Sequence, residues 1–359
     1  MPEQILKFDK VVEALLDLNQ PFPPRLLRNF SDLSHKDQRT LAQLWLDIEP
    51  RRKLSLFEDL ETIAETDTLV NFDEFAKFGI TDPDPAVRVM AIRLLWECEE
   101  AGLIPIFTEM MESDAAEDVR AAAASALGKF VYLGELDSIP ENLKVSLVQN
   151  LLDVVKGEDL PLVRRNALES LGYSSNSKVP VLINTALDSG DSQWMISALF
   201  AIGRSADDQW VETVLKYLNQ PENEIKFEAV RAAGELELDE ARDILLEILA
   251  ETEDDLELRY AVIWSLSQIG GEGIKESFEE LLKKSEDDEE IVWLERALEN
   301  LDIGGDIEKM EFLNFEGGSE PLDDDEEEES DLDEDELDLE DLEEEEDEYD
   351  ADEDEEDKY

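Results

Sequence analysis

A chain of 359 residues with 42% hydrophobic content is long enough and apolar enough to build a large core. Its charge is the anomaly: 96 Asp and Glu against 31 Lys and Arg leave a formal net charge of -65, far beyond what solubility requires. Such a field repels nucleic-acid phosphates, whose binding rests on Lys and Arg displacing counterions, so a direct nucleic-acid partner is not expected; cationic proteins are attracted instead.

Residues 1–80 read as an irregular helical region. MPEQILKFDK carries charges where a signal peptide needs an apolar stretch, and no apolar run approaches the roughly 18 residues of a membrane span. With one cysteine, Cys98, there is no disulfide framework, and the composition reads as cytoplasmic. QPFPPR (20–25) breaks an early helix, and a divergent first repeat is expected near Ser34, where Arg39, Ala42 and Leu46 fall in helical phase. His35 follows Ser34, a candidate N-cap, and is the one histidine of the chain. That removes His-based acid/base pairs and conventional zinc sites, so no catalytic residue, metal or cofactor is assigned. Cys98 lies on an apolar helix face and reads as a core filler.

From 81 to 301 one template returns: VRVMAIRLLW (87–96), VRAAAASALG (119–128), VRRNALESLG (163–172), WMISALFAIG (194–203), IKFEAVRAAG (225–234) and LRYAVIWSLS (258–267). Its second position falls at Arg88, Arg120, Arg164, Met195, Lys226 and Arg259, in steps of 32, 44, 31, 31 and 33. Counted from that position, offsets -1, +3 and +7 are apolar or small and lie one helical turn apart, on one face. Ala91, Ala123, Ala167, Ala198 and Ala229 hold +3, where a small side chain lets two helices approach. The Gly that usually follows is either a helix terminator or a close-packing site.

Between these segments lie second amphipathic stretches such as KVSLVQNLLDVV (144–155) and ARDILLEIL (241–249). Two helices per unit follow, and a unit of this size buries its apolar faces only by stacking on its neighbours. The expected fold is all-α: an alpha-alpha superhelix, right-handed, plus a disordered acidic C-terminal tail. The long step from 120 to 164 places extra residues at VYLGELDSIPEN (131–142), a loop or an extended helix end, and GGEG (270–273) reads as a turn. EEIVWLERALENL (289–301) keeps helical phase but lacks the base, as a terminal cap would.

Residues 302–320 read as a linker or cap whose apolar cluster, Met310, Phe312, Leu313 and Phe315, either packs on the last repeat or is a short binding motif. Residues 321–359 hold 28 acids and one Lys, a run of like charge expected to stay disordered; the rest of the chain still carries -38.

The six segments resemble the HEAT-like repeat, in the short variety seen in phycobilisome lyases and many bacterial repeat proteins, over about residues 81–301. SALFAIGRSADDQW (197–210) and AVRAAGELELDEA (229–241) are especially similar to that variety. The resemblance implies that the Val-Arg helices line the concave surface and that each base pairs with an acid of its own preceding turn. The implied ladder is Asp84 with Arg88, Glu117 or Asp118 with Arg120, Asp159 with Arg164, and Glu257 with Arg259, interrupted at Met195. The family includes bilin lyases, iron-dependent hydroxylases and plain scaffolds, so the fold alone does not choose a function. The hydroxylases hold iron with repeated His-Glu pairs, which this sequence does not have.

If those helices line a groove, offsets +1 and +5 point into it. The later repeats then offer Ile196, Phe200, Phe227, Tyr260 and Trp264 as an apolar stripe, with Arg93, Arg165, Arg204 and Arg231 beside or ahead of it. Aromatics and Arg dominate binding hot spots. The expected function is a non-catalytic scaffold that grips a protein or peptide, basic partners included, with the acidic tail attracting them or competing for the groove. A bilin or client-protein maturation factor and an acidic chaperone for basic proteins are the alternatives; no membrane partner is expected.

Overall fold

In the computed structural model, which describes residues 8–252 and 255–316 with the side chains of the last helix to Ile303, helices follow one another without a strand among the described residues. The lead-in comprises α1 (Asp9–Leu16), a 3-10 segment at Pro24–Phe30, α2 (His35–Leu44), α3 (Pro50–Thr66) and α4 (Asp73–Gly79). The array continues with α5 (Pro85–Leu94), α6 (Leu103–Ser113), α7 (Glu117–Glu135), α8 (Glu141–Lys156), α9 (Pro161–Leu171) and α10 (Val179–Leu187). It ends with α11 (Ser192–Gly203), α12 (Val211–Leu218), α13 (Asn223–Glu235), α14 (Arg242–Glu251), α15 (Leu256–Ile269), α16 (Ile274–Lys284) and α17 (Asp288–Glu316). The repeats belong to one unit, Met1–Glu308; Lys309–Tyr359 form a second. The acidic run 321–359 and the side chains of Met310, Phe312, Leu313 and Phe315 lie outside the described residues.

Helix starts are set by the acids and prolines between repeats. Asp84 accepts the Ala86 amide at 2.9 Å, Asp191 the Gln193 amide at 2.9 Å and Asp255 the Leu258 amide at 3.2 Å. Pro85 and Pro161 open α5 and α9, where a missing N–H costs nothing.

The template helices are the odd-numbered ones, and from α3 to α15 each packs on the next; each even helix from α4 to α14 packs on the odd helix that follows it. The core is the -1, +3 and +7 columns. Ala91, Ala123, Ala167, Ala198 and Ala229 are fully buried at +3, as are Leu127, Leu171 and Ile202 at +7. Each fully buried Leu or Ile contributes about 2 kcal/mol of transfer free energy.

The glycines of the template resolve as close-packing sites. Gly128, Gly172, Gly203 and Gly234, all at +8, meet Ser170, Ala201, Ala232 and Ser265, the +6 residues of the next odd helix. A Cβ on Gly172 would stand 2.6 Å from the Ala201 carbonyl oxygen and 2.8 Å from its Cα, so only Gly permits this approach of two backbones. None of the four has positive φ. The turn glycines differ: Gly270, Gly271 and Gly273 have φ of 64°, 99° and 86°, and make the turn between α15 and α16.

Three expectations sharpen or change. The extra residues at 131–142 lengthen helices: α7 spans 19 residues and α8 spans 16, joined by a short turn. In the N-terminal region the helix that packs beside α5 is α3, with a buried base at Lys53. Arg39 and Leu46 are exposed, Arg39 bonding only back to the His35 carbonyl of its own helix. Finally, α17 continues through Gly304 and Gly305 to Glu316, so the residues read as a linker begin inside a helix.

Candidate binding face

The ladder of charges exists, but it reaches forward. Arg88 donates Nε and Nη2 to Asp114 at 2.8 and 2.7 Å, and Arg120 donates the same pair to Asp159 at 2.9 and 2.7 Å. Arg259 pairs with Glu290, which the Ser285 hydroxyl also holds. Upstream, Lys53 meets Asp82 at 2.6 Å, beneath the Trp45 indole N–H that donates to the same carboxylate. Each base thus crosses to the loop or first turn of the next odd helix, and the own-turn pairings of Arg88 with Asp84, Arg120 with Asp118, Arg164 with Asp159 and Arg259 with Glu257 are not made.

The physical reason is reach: the packing of each odd helix on the next brings Asp114 to Arg88 and Asp159 to Arg120, while Asp84 accepts the amide of its own helix start. The third nitrogen of the guanidinium meets the near turn instead: Arg88 Nη1 donates to the Asp82 carbonyl and Arg120 Nη1 to the Asp114 carbonyl, at 2.8 and 2.9 Å. Arg164 has no carboxylate to reach; it donates to the Val155 carbonyl and stacks 5.3 Å over Trp194. Met195 follows and Lys226 makes no ion pair among the described residues, so the interruption expected at Met195 spans three repeats.

The +1 and +5 columns do share one face. Ile196, Phe200, Phe227, Arg231, Tyr260 and Trp264 are all half-buried, and Ile196, Phe227 and Tyr260 also pack against the core. Arg165 is half-buried, and Arg93 is exposed and paired with Glu61 at 2.7 Å. Arg204 lies 4.0 Å over the Phe200 ring and 4.8 Å over Tyr173, and Arg231 lies 5.5 Å from Phe200. Tyr132 and Tyr173 meet at 5.4 Å. A chain of aromatic and guanidinium groups therefore runs from α7 to α13.

A cavity flanks each end of it. The first, about 720 Å³, lies against α5, α7 and α9 and includes Val89, Arg93, Trp96, Tyr132, Tyr173 and Arg204. Trp96 holds the +8 place that is Gly in four later repeats, and it is 66% exposed. Indole at this position cannot close onto Ala126 as Gly128 closes onto Ser170, and both Trp96 and Ala126 line the opening. The second, about 350 Å³, is lined by Phe227, Arg231, Glu257, Tyr260, Trp264 and Trp293. Trp96, Tyr132, Tyr173 and Trp293 were not anticipated as face residues; the break of Trp96 from the Gly column was the signal available for it.

Between the cavities sit acids held above their usual range. Burial pushes the Glu228 carboxyl up to about 7, against the pull of Arg231 at 3.8 Å. Burial also raises Glu169, opposed by the Ser197 hydroxyl that donates to it at 2.5 Å. The ladder acids go the other way: Arg120 holds Asp159 below the carboxylate range, and at Asp114 the Arg88 guanidinium and the Ala116 amide outweigh burial. Elsewhere, Cys98 is buried with its thiol pushed up to about 11, chiefly by that burial, and Ser34 accepts the Asp37 amide as the N-cap ahead of His35.

Residues 74–172 and 179–257 match the family of HEAT repeats. The chain is a HEAT-repeat protein. No curated protein matches its sequence. Similar solved structures include the CpcE and CpcF complex of phycocyanin lyase from Nostoc sp. PCC7120, at 19% identity over 66% of this chain and 97% of that one, with a TM-score of 0.45. The Escherichia coli protein YibA is 15% identical over 84% of this chain and 99% of its own, TM-score 0.38. Human deoxyhypusine hydroxylase is 17% identical over 73% and 95%, TM-score 0.32. Enzymes and enzyme subunits thus occur among the similar folds, and no residue role is carried over from them. No helix among the described residues is long and apolar enough to cross a membrane.

Proposed function

We propose that this HEAT-repeat protein is a non-catalytic scaffold that binds an extended segment of a protein partner along its odd-helix face. The observation that carries the reading is the aromatic and guanidinium run from Tyr132 to Arg231 with a cavity at either end. Odd helices pack directly on one another through Gly and Ala, whereas among the even helices of the array such contact is sparse. A two-layer stack bends toward its tighter layer, which makes this face the concave one. Side chains stacked on neighbouring rings are pre-ordered, so binding them costs little further entropy.

The chemistry of the face favours grip over catalysis. His35 opens α2, outside the array, and a thiol raised to about 11 is a poor nucleophile. The acidic residues 321–359 would serve to attract cationic partners or to compete for the groove arginines.

A photo-crosslinking residue placed at Tyr132 or at Trp264 of the full chain is expected to capture the same partner protein from the native cell. Trp96→Ala combined with Phe200→Ala should abolish that capture while leaving the thermal midpoint within a few degrees. Undiminished capture by the double variant would sink the groove reading.

A further inference from the structure

The two cavities differ in the charge of what lines them. The first is rimmed by bases, Arg93, Lys129 and Arg204, together with Glu97 and Asp118. The second is a ring of aromatics with acids around it. Phe227, Tyr260, Trp264 and Trp293 surround about 350 Å³, Tyr260 and Trp293 lying nearly parallel, 15° apart, with centroids 5.8 Å apart.

Glu257, exposed, stands on the lining of this second cavity. Asp287, just before α17, and Glu289, in its first turn, act on the Tyr260 phenol together with Glu290, which is itself paired with Arg259; burial first and then these carboxylates hold the phenol above its ordinary range. The Tyr260 hydroxyl itself is buried with no hydrogen-bond partner.

Arg231 is the one cation among the lining residues, and its charge is met on its own helix. Its guanidinium meets Glu235 at 2.9 Å and Glu228 at 3.8 Å and lies 5.5 Å from the Phe200 ring. What remains is an aromatic-lined opening with the exposed Glu257 on its lining, in a body of strongly negative net charge. Ring faces carry negative electrostatic potential, so an aromatic enclosure rimmed by carboxylates favours a positive group over an apolar group of the same size.

We propose that the cavity between α13, α15 and α17 is a cation subsite that takes the charged end of a lysine or arginine side chain from a basic partner segment. The assignment rests on the groove reading above and adds the chemistry of the partner to it. The rings of Trp264 and Trp293 supply the cation–π surface, Tyr260 holds Trp293 in place by stacking, and Glu257 supplies a carboxylate at the rim.

The test uses the full chain and three probes: tetramethylammonium chloride, a capped alanine peptide carrying one lysine, and the same peptide with norleucine in its place. The readout is the indole N–H resonances of Trp264 and Trp293, assigned from Trp264→Phe and Trp293→Phe. The two cationic probes are expected to shift both resonances and the norleucine peptide neither. Trp264→Ala should weaken the cation by about ten-fold. Glu257→Gln, a change at an exposed side chain that leaves the fold intact, should weaken it by about three-fold and reduce its salt dependence. Tyr260→Phe keeps the ring and should leave affinity within about two-fold.

Equal shifts from the norleucine peptide overturn the cation assignment, as does unaltered binding in Glu257→Gln and Trp264→Ala together. If that happens while crosslinking at Tyr132 still captures a partner, the groove stands and only its cation preference falls. Loss of capture at both positions overturns the groove reading itself.

Discussion

The two halves of the array use arginine differently. From α3 to α9 the bases are spent between repeats: Lys53, Arg88 and Arg120 each close on a carboxylate of the next odd helix. From α9 to α13 they are spent on rings: Arg164 on Trp194, Arg204 on Tyr173 and Phe200, Arg231 toward Phe200. The first arrangement ties backbones together in a fixed register and leaves little to offer a partner. The second sets guanidinium groups against aromatic rings along one face, the residue types that dominate binding hot spots. Only at Arg259 and Glu290 does the first pattern resume, where the array meets its cap.

The largest expected effect breaks what both halves share. Gly172→Ala places a methyl group into the Ala201 backbone, and it is expected to cost about 3 kcal/mol, measured by urea unfolding. A loss under about 0.5 kcal/mol would mean that α9 and α11 are further apart than described.

Acidity separates the halves more finely. Asp114 and Asp159 have folded-state pKa values below 3.8, so what they contribute is present above that value and lost as pH falls through the folded one. Glu228 behaves oppositely. Its folded value of about 7 lies above the ordinary 4.5, so the folded protein binds the extra proton between the two, and stability declines as pH rises from 4.5 to 7. Glu228→Gln is expected to gain about 2 kcal/mol on the wild type between pH 5 and pH 8. Parallel stability curves for the two proteins would show that Glu228 is ionised throughout.

The smallest effect compares one base from each half. Arg120→Ala removes a bidentate pair and a carbonyl bond and should cost about 2 kcal/mol, whereas Arg164→Ala removes a stacked contact and a carbonyl bond and should cost about 1 kcal/mol. A double-mutant cycle of Arg120 with Asp159 should return a coupling of about 1 kcal/mol, and one of Arg164 with Asp159 none.

Much of this was readable from one period. The columns at -1, +3 and +7 are core because 3.6 residues per turn bring them to one side, and Ala123 or Leu127 needs no tertiary information to be placed there. The partners of the ladder were not readable in the same way. Asp84 precedes Arg88 by four residues and Asp114 follows it by 26, and proximity along the chain favours the wrong one. Only the packing of α5 against α7 brings Asp114 within reach. The face was legible at Phe200, Phe227, Tyr260 and Trp264, which obey the column rule. It was illegible at Tyr132 and Trp293, which lie on a helix extension and on a helix without the template's base.

The forward reach of the ladder gives the molecule a polarity that its near-identical repeats would otherwise lack. An acid facing an empty neighbour can still accept the amide of its own helix start, as Asp84 and Asp114 do. A guanidinium facing an empty neighbour has only backbone carbonyls. Where the ladder runs, at Lys53, Arg88, Arg120 and Arg259, a chain emerging from its amino end carries a cation without its carboxylate until the next helix pair docks. Among the described residues Glu290 is the last acid of the ladder, accepting Arg259 at the start of α17.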